Sequence, residues 1–423
     1  MLLWVSVAAA QDVGAPTLAA YMDAAVLNNP RTVIAGAAVD TARADAAEAG
    51  SFLLPDLRAS GNYTRNQYEA LAVYPDPGGG PPTEIVLNPR NQLSASVTAT
   101  IPLLDGPAIA TWQAARDGTD AAEYDEVAAA NDLRLDVARA WYVAVAAQEV
   151  VVAAQRARAA ADENLRMVRI RAEAGAATNL SVQRAELEVA NAEQLMIDGE
   201  RVRLVSLRTL ATLSGLPEPE ALPVVAAAMP AQVSEEEALR IAESARPELA
   251  AAQTRVDQLK LVRSGAWLGY TPTLSGFATE QYTNASGFSG EEAFWTVGLQ
   301  ADWLLLDFGD RGADVRRARA ALTSAEATLQ ETQDRVRDEV HAAWLDVEAA
   351  KASVEAARRG ATVSREAARE FTARFQLGMS TQFDVIQADR DALDAEVARI
   401  RAEGELAIAV LALQRATGQP VTP

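Results

Sequence analysis

The clearest pattern in this chain of 423 residues is an alternation of apolar and polar side chains. It occupies residues 92–103, which read QLSASVTATIPL, and residues 295–305, which read WTVGLQADWLL. Nearly every second residue of these stretches is apolar, and most of the others are small or polar. Because side chains alternate between the two faces of a strand, each stretch predicts a strand with one apolar and one polar face. This pattern is typical of a strand whose apolar face meets lipid.

Each alternating stretch is the second member of a predicted pair of strands. The strands are predicted at about 57–66, 91–103, 273–283 and 293–305. In the third of them Phe277 falls on the polar parity, so the alternation there is less regular. The connection at 67–90 contains PDPGGGPP at residues 75–82, and this density of proline and glycine predicts a loop without helix or strand. A shorter loop is predicted at 284–292.

Long helices follow each pair of strands. The long helices are predicted at about 108–172 and 312–376, the return helices at about 178–213 and 381–416, and two shorter helices at 17–50 and 235–268. A helix of about 65 residues would be roughly 100 Å long at 1.5 Å per residue. From Leu322 to Ala361 small and apolar residues recur at steps of three and four, which predicts a coiled-coil seam. An Asn-Pro or Arg-Pro step interrupts each shorter helix.

The two halves of the chain are copies of one unit. At a shift of about two hundred positions, Gly175, Leu180, Ala185 and Gly215 pair with Gly378, Phe383, Ala388 and Gly418. We therefore expect a first structural repeat at 11–215 and a second at 235–423, joined by a proline-rich connection at 216–234. Residues 1–10 read MLLWVSVAAA and resemble the end of a signal peptide without its positive region. The alternative for this segment is an ordinary apolar N-terminus.

Composition excludes several classes of function. A formal net charge of -20 disfavours a nucleic-acid partner, and the absence of cysteine excludes disulfides and thiolate metal sites. The chain beyond its first residues has no uninterrupted apolar stretch of about 20 residues, so we expect any membrane crossing to use strands. No paired nucleophile and base, phosphate-binding loop or metal-binding cluster is visible. We predict no catalytic residues, no cofactor, no metal site and no enzymatic activity.

One short motif carries a resemblance to a known family. Residues 377–388 read LGMSTQFDVIQA, a turn in which a glycine is followed six residues later by an aspartate, an aliphatic pair and an alanine. This motif, the duplication and the order of elements resemble the TolC family of outer-membrane export channels. The resemblance implies a mixed, mainly α fold with a β-barrel. Duplicated units of long coiled-coil helices and four transmembrane strands would assemble as a trimeric, twelve-stranded β-barrel on a periplasmic α-helical barrel.

Simple geometry supports assembly independently of the resemblance. Four strands cannot close a barrel, and an open sheet edge is not stable in lipid, so copies of the chain must pool their strands. Two copies would close about eight strands, but side chains nearly fill a barrel of that size. Three copies, the number that the resemblance implies, suit a conduit better, and we expect a homotrimer.

The resemblance also implies a function and its partners. It implies an outer-membrane exit duct of a tripartite efflux or type I secretion system, with a long periplasmic extension. The implied partners are a periplasmic adaptor protein, an inner-membrane pump of the RND or ABC type and outer-membrane lipid. Two alternatives remain: a structural periplasmic coiled-coil protein without a channel, which the alternating strands disfavour, and a general porin, which the long helices disfavour.

The resemblance implies a periplasmic gate near the second glycine turn. Asp384 matches an acidic residue that rings the closed tip in the family, while the family's second aspartate falls at Gln387. Phe375 stands at the family's aromatic gate position but lacks the hydroxyl used there. Ser380 stands where the family can have a gate arginine and Ser181 where it can have the acidic partner, so that salt link is absent here. Arg184, in the first-half counterpart of the motif, completes the expected gate residues. We expect the closed state to depend mainly on packing around Phe375 and on neutral hydrogen bonds. The alternative for Asp384 is an acid on a solvated helix face.

The two glycine turns are the expected docking site for the adaptor. The residues are Ala174, Gly175 and Ala176 in the first turn and Leu377, Gly378 and Met379 in the second. Small residues allow a close approach of another helical tip. A helical hairpin also needs a glycine for its own geometry, and the two explanations are compatible.

Overall fold

The computed structural model of the chain describes residues 17–75, 78–223, 233–287 and 289–422, which are mainly helical. The helices are α1 (Leu18–Asn28), α2 (Pro30–Ser51), α3 (Gly106–Glu173), α4 (Asn179–Ser214), α5 (Glu235–Ala245), α6 (Pro247–Leu268), α7 (Asp310–Gln376) and α8 (Gln382–Ala416). The strands are β1 (Asp56–Arg65), β2 (Ala70–Tyr74), β3 (Thr83–Asn88), β4 (Asn91–Leu104), β5 (Thr273–Thr283) and β6 (Ala293–Asp302). The predicted signal-peptide remnant at 1–10, and residues 224–232 of the predicted connection, lie outside the described residues.

The chain forms two compact units. One, the helical unit, comprises the residues up to Ala37 together with Glu123–Ala250 and the residues from Gln330 onward. The other, the strand unit, comprises Ala38–Ala122 and Ala251–Leu329. Each unit combines segments from both halves of the sequence, so the compact units do not follow the boundary between the two sequence repeats.

The main sheet of the strand unit has four antiparallel strands in the order β1-β4-β5-β6. Ser60 pairs with Ser96, and Thr98 pairs with Thr279. Their hydroxyls lie 2.8 Å and 3.0 Å apart, so these polar residues share one face of the sheet. Val97 alternates with them and lies on the opposite face. β1 and β6 form the two edges.

The connection between β1 and β4 corrects one prediction. The expected loop at 67–90 contains a hairpin, because β2 and β3 pair with each other as a separate two-stranded sheet. Of the proline-rich and glycine-rich run at 75–82, the described residues, 75 and 78–82, lie outside both strands. Residues 70–74 and 83–88, on either side of it, are rich in aliphatic and β-branched residues, which favour strands.

The last strand is shorter than predicted. β6 ends at Asp302, whereas the alternation of apolar residues predicted a strand up to residue 305. Outside the strand, the indole Nε1 of Trp303 donates a hydrogen bond to the carbonyl of Tyr270 at 3.1 Å. The run of apolar residues that follows Asp302 therefore continues the sequence pattern without continuing the pairing.

The core of the helical unit lies between several of its helices. Trp141 and Leu133 of α3, Met22 of α1, Leu210 of α4 and Leu411 of α8 are buried in one apolar cluster. The seam predicted on the second long helix is buried too, with Val340 fully buried and packed near Ala242 of α5. These clusters bury apolar side chains between helices of one chain, while other apolar residues of the helical unit, such as Leu187, Ile197 and Val205 of α4, are exposed.

A buried charge marks the break between α5 and α6. Arg246 precedes Pro247, is 3% exposed, and donates from Nε to the carbonyl of Ala416 at the end of α8 at 2.8 Å. Its Nη1 donates to Glu248 at 3.0 Å, and a second carboxylate, from Glu339 of α7, accepts from its Nη2. The predicted Arg-Pro interruption is thus a junction where α8 is attached to neighbouring helices.

One of the described helices, α3, is long and apolar enough to cross a membrane, judged by length and composition only. A window within α3 has a mean hydropathy of 1.3, although the sequence analysis found no uninterrupted apolar stretch of about 20 residues there. More than half of this window, 56%, is buried inside the protein. Buried core helices pass the same test, and α3 supplies Leu133, Val137 and Trp141 to the core described above.

Candidate gate at the helical turns

Both long helices end in the same backbone turn. Gly175 and Gly378 have φ angles of 73° and 72°, a left-handed conformation that glycine adopts without strain. The next amide reaches back five residues in each case, from Ala176 to the carbonyl of Arg171 at 2.7 Å and from Met379 to that of Arg374 at 2.8 Å. These bonds define a Schellman motif, which ends the helix and reverses the chain.

The two turns expose different side chains. A Cβ atom added to Gly175 or Gly378 would have no neighbour within 4 Å, so both turns are open to solvent. Ala174 and Ala176 flank the first glycine and are exposed. Leu377 and Met379 flank the second and are 76% and 74% exposed. The second turn therefore presents much more apolar surface than the first.

Asp384 begins α8 by closing a reciprocal cap. Its carboxylate accepts hydrogen bonds from the Thr381 amide at 2.8 Å and from the Thr381 hydroxyl at 2.7 Å, and its own amide donates to that hydroxyl at 3.3 Å. The Thr381 hydroxyl and amide hold the pKa of the Asp384 carboxyl below its ordinary value, because both donate to its charged form. Asp384 is therefore anionic at neutral pH and has a structural role in its own turn.

The other polar residues predicted for the gate also bond within their own hairpins. Ser181 donates from its amide to the N-cap Thr178 at 3.2 Å, and the Ser380 hydroxyl donates to the carbonyl of Phe371 at 3.1 Å. The Gln387 amide donates to Asp391 at 2.9 Å along the exposed side of α8. These contacts are local and neutral or singly charged, and none of them joins one predicted gate residue to another.

Two arginine–aromatic contacts do join the first hairpin to the second. The guanidinium of Arg171 on α3 lies 4.7 Å from the ring centre of Phe375 on α7. The guanidinium of Arg184 on α4 lies 5.0 Å from the ring centre of Phe383 on α8. Both distances are within the range of cation–π attraction. We call these two contacts the arginine–aromatic pairs.

These pairs refine the predicted gate. Packing around Phe375 was expected to be the main contribution to the closed state, and the structure places a cation over its ring. Sequence reasoning did not select Arg171 or assign a role to Phe383. The repeat offered no signal for Arg171, because its counterpart in the second half is Arg374, which pairs with Glu370 one helical turn away.

Ion pairs hold each hairpin together above its turn. Arg169 of α3 meets Glu186 of α4 at 2.6 Å, and Arg365 of α7 meets Glu396 of α8 at 2.9 Å. Most of these side chains are substantially exposed, so each pair contributes no more than about 1 kcal/mol. Their main effect is to fix which faces of the antiparallel helices meet.

A polar cleft lies among α3, α4, α7 and α8 in the helical unit. Its volume is about 670 Å³, and its lining includes Asn164, Asn191, Glu188, Asp389 and Asp394. Burial, with a smaller contribution from the nearby charge of Glu188, raises the pKa of the Asp389 carboxyl. The lining also includes Arg156, Arg365 and Arg390, so charges of both signs face this cleft.

Solved structures share this architecture. A membrane protein from Pseudomonas aeruginosa has 21% sequence identity and a TM-score of 0.81, covering 95% of this chain and 93% of the other. The Campylobacter jejuni CmeC outer membrane channel has 18% identity and a TM-score of 0.79, covering 95% and 85%. At this identity the similarity establishes the fold.

Sequence comparisons identify the family. Outer membrane efflux protein BepC of Brucella suis is 25% identical over 146 residues, an alignment that spans 34% of this chain and only 32% of the length of BepC. The model of the outer membrane efflux protein family matches residues 22–216 and 238–419, which include both glycine turns and all strands of the main sheet. The chain therefore belongs to the outer membrane efflux protein family, which confirms the resemblance found in the sequence and the outer-membrane location that it implied.

Proposed function

We propose that the protein is the exit duct of a tripartite efflux or type I secretion system. In this proposal it conducts substrates passively from an inner-membrane pump, across the periplasm, to the outside of the cell. As a member of an efflux family it is a transport protein and not an enzyme. The energy for transport is supplied by the pump.

The observation that carries this proposal is the exposure of the apolar face of the main sheet. Trp295, Val297 and Leu299 of β6 are 73%, 66% and 73% exposed, although they are the apolar members of the alternation. The opposite face carries serine and threonine pairs such as Ser60 with Ser96. A sheet in water would bury its apolar face, whereas a barrel strand in lipid exposes it and directs its polar face to a lumen.

Aromatic residues mark both ends of the sheet. Tyr63, Tyr282 and Trp295 are exposed near the ends of the strands that adjoin the loops at 66–90 and 284–292. Trp267 and Trp303 are exposed near the opposite ends. Barrel proteins place aromatic girdles at the two membrane interfaces, and these two groups fit such girdles.

Closing the sheet requires other copies of the chain. β1 and β6 are the two edges of an open four-stranded sheet, and an open edge is not tolerated in lipid. We propose a homotrimer in which β1 of one copy pairs with β6 of the next, forming a twelve-stranded barrel above a periplasmic helical barrel. The two sequence repeats, at 11–215 and 235–423, would supply equivalent hairpins to this assembly.

The glycine turns are the proposed gate and docking surface. In a trimer, Asp384 would place three carboxylates around the axis at the closed tip, and rings of charge set ion selectivity by their local field. The arginine–aromatic pairs of Arg171 with Phe375 and Arg184 with Phe383 would hold the two hairpins of each copy together. The exposed Leu377 and Met379 suit contact with the tip of a periplasmic adaptor.

The alternative is a structural periplasmic coiled-coil protein without a channel. The buried seam of α7 is compatible with that alternative. The apolar face of the main sheet is not, because a periplasmic protein would expose that face to water at a cost of about 25 cal/mol for each Å².

Substitution of the turn glycines tests the proposal. Gly378→Pro and Gly175→Pro cannot keep φ near +70° and should abolish drug resistance or secretion in a complemented deletion strain. Heat-resistant trimers in the outer-membrane fraction should persist. Gly360→Ala is the control, since a Cβ there meets nothing within 4 Å and the residue lies within α7. Normal export by the proline variants would contradict a docking tip, and a lack of outer-membrane trimers in the wild type would favour the structural alternative.

A further inference from the structure

Two phenylalanines lie on the otherwise largely polar face of the main sheet: Phe294, near the end of β6 that adjoins the loops, and Phe277, near the middle of the face. Phe277 of β5 pairs with Thr100 on β4 and with Gly298 on β6, and directly paired residues share a face. On its own strand the nearest residues of that face are Ser275 and Thr279. A phenyl ring therefore lies among hydroxyl groups in the middle of the face that the proposed barrel directs to its lumen.

Gly298 explains how the ring is accommodated. A Cβ atom at residue 298 would lie 2.7 Å from Cζ and 2.8 Å from Cε1 of Phe277, closer than two non-bonded carbon atoms can approach. The ring therefore occupies the space that any other side chain at 298 would need. Glycine weakens the interior of a strand, and its presence there commonly marks such a close approach. The ring lies against the backbone of β6 and does not stand upright from the sheet.

We infer that Phe277, seated on Gly298, is a contact site for flat aromatic solutes in the passage. This inference rests on the proposed function, because only a closed barrel makes this face a lumen. The surrounding hydroxyls bind water and polar solutes, whereas an aromatic face attracts a second ring by stacking and by exclusion of water. Each copy of the chain would contribute one such site, at the level of Thr100 and Gly298.

Glycine at 298 is part of the site, since it decides where the ring lies. Any side chain at this position would displace the ring from the wall, and the ring can move because its Cζ end is not fixed by the backbone. A substitution at 298 should therefore alter solute binding only when Phe277 is present. The inference thus predicts an interaction between two positions and not only the effect of losing a ring.

Block of single channels in planar bilayers tests the inference. Ethidium, a planar aromatic cation, is added on the side of the loops, and spermidine serves as a cation without a ring. Phe277→Ala should weaken ethidium block about 2-fold to 10-fold, the range expected for one lost aromatic contact, and should leave spermidine block unchanged. Phe277→Tyr should retain the block by ethidium.

Gly298→Ala and the double variant complete the experiment. Gly298→Ala should change ethidium block in the wild-type background and have no further effect in Phe277→Ala. Gly61→Ala is the matched control, because the nearest atom to a Cβ there is a carbonyl oxygen at 4.0 Å. Unchanged ethidium block in Phe277→Ala, or an equal effect of Gly298→Ala in both backgrounds, would overturn the inference. A wild-type protein that forms no conducting channel would overturn the proposed function itself.

Discussion

The main sheet and the helical unit place their apolar side chains in opposite ways. In the helical unit, Trp141, Val340 and Leu210 are fully buried between helices of the same chain. In the main sheet, Val97 and Leu299 are exposed while the serines and threonines between them pair across the strands. The helical unit therefore has an apolar core within one chain, whereas in the proposed assembly the sheet needs lipid on one face and other copies at its edges. In a water-soluble protein this exposed apolar surface would be prone to aggregation, whereas in the proposed assembly it contacts lipid.

The largest expected effect is a loss of stability when arginine replaces an apolar residue in the middle of a strand of the main sheet. Leu299→Arg should destabilise the assembled protein by about 2 to 4 kcal/mol, because a guanidinium near the bilayer midplane is costly. Val97→Arg should cost less, because Val97 pairs with Glu280 on β5, whose carboxylate can neutralise the new charge. Ser96, the neighbour of Val97 in the sequence, lies on the polar face of the sheet. Ser96→Arg should therefore be tolerated. Leu299→Arg and Gln300→Arg form a second matched pair on β6. The yield of trimer in membranes is the measurement, and equal tolerance at both parities would refute the assignment of faces.

A smaller effect is expected in the helical unit, where the relevant contacts lie within one chain. Arg171→Ala or Phe375→Ala removes a cation–π contact worth about 0.5 to 1 kcal/mol at an exposed site, which is roughly a 2-fold to 5-fold shift in the ratio of open to closed tips. Single-channel conductance should rise, and more for Phe375→Ala than for Ser380→Ala or Gln387→Ala.

Arg374→Ala provides the control for this prediction. Arg374 holds the same position before its glycine as Arg171 does, but it pairs with Glu370 of its own helix and not with a ring. If Arg374→Ala and Arg171→Ala had the same effect on conductance, the charge near the turn, and not the aromatic contact, would be responsible.

The smallest expected effect is a difference between the first turns of α4 and α8 in how amide protection depends on pH. Asp384 has a lowered pKa because Thr381 donates to its charged form, so its contribution to stability is present above the ordinary carboxyl pKa and is lost as the pH falls through the lowered value. The Thr381 amide, which donates to this carboxylate at 2.8 Å, should lose protection from hydrogen exchange on acidification. The Ser181 amide donates to a neutral hydroxyl and should not.

Hydrogen exchange of peptides from the two turns, corrected for intrinsic rates, measures this difference. In Asp384→Asn the protection of the α8 turn should no longer depend on pH. If both turns lost protection equally in the wild type, acidification would be acting on the whole tip and not on the cap of α8. Ion selectivity of Asp384→Asn should also shift away from cations if the three carboxylates form a ring.

Much of the fold was accessible from the sequence because its patterns are strictly periodic. The alternation around Val97 and Val297 located strands of the main sheet, and the steps along α7 located its buried seam. The errors arose where two local signals competed. The dense prolines at 75–82 concealed the strands β2 and β3 beside them, and the apolar residues after Asp302 suggested pairing that the strand does not make.

The candidate gate was less accessible for a different reason. Gly175 and Gly378 could be selected because their turn requires a left-handed conformation. The contact of Arg171 with Phe375 joins helices about two hundred residues apart in the chain, and the residue types alone do not specify which arginine lies over the ring. The cap of Asp384 was local and could have been found, since Thr381 and Asp384 have the spacing of a capping box.

The most direct test of this account is a cysteine cross-link between the two sheet edges. The chain contains no cysteine, so one cysteine in β1 and one in β6 are the only thiols present. Asn62→Cys combined with cysteines at successive positions from Thr296 to Gln300 samples the register. The account predicts that, in membranes under oxidising conditions, some registers yield a covalent ladder that ends at a trimer. A ladder that ends at a dimer, or disulfides that form only at random in all registers, would contradict the twelve-stranded barrel.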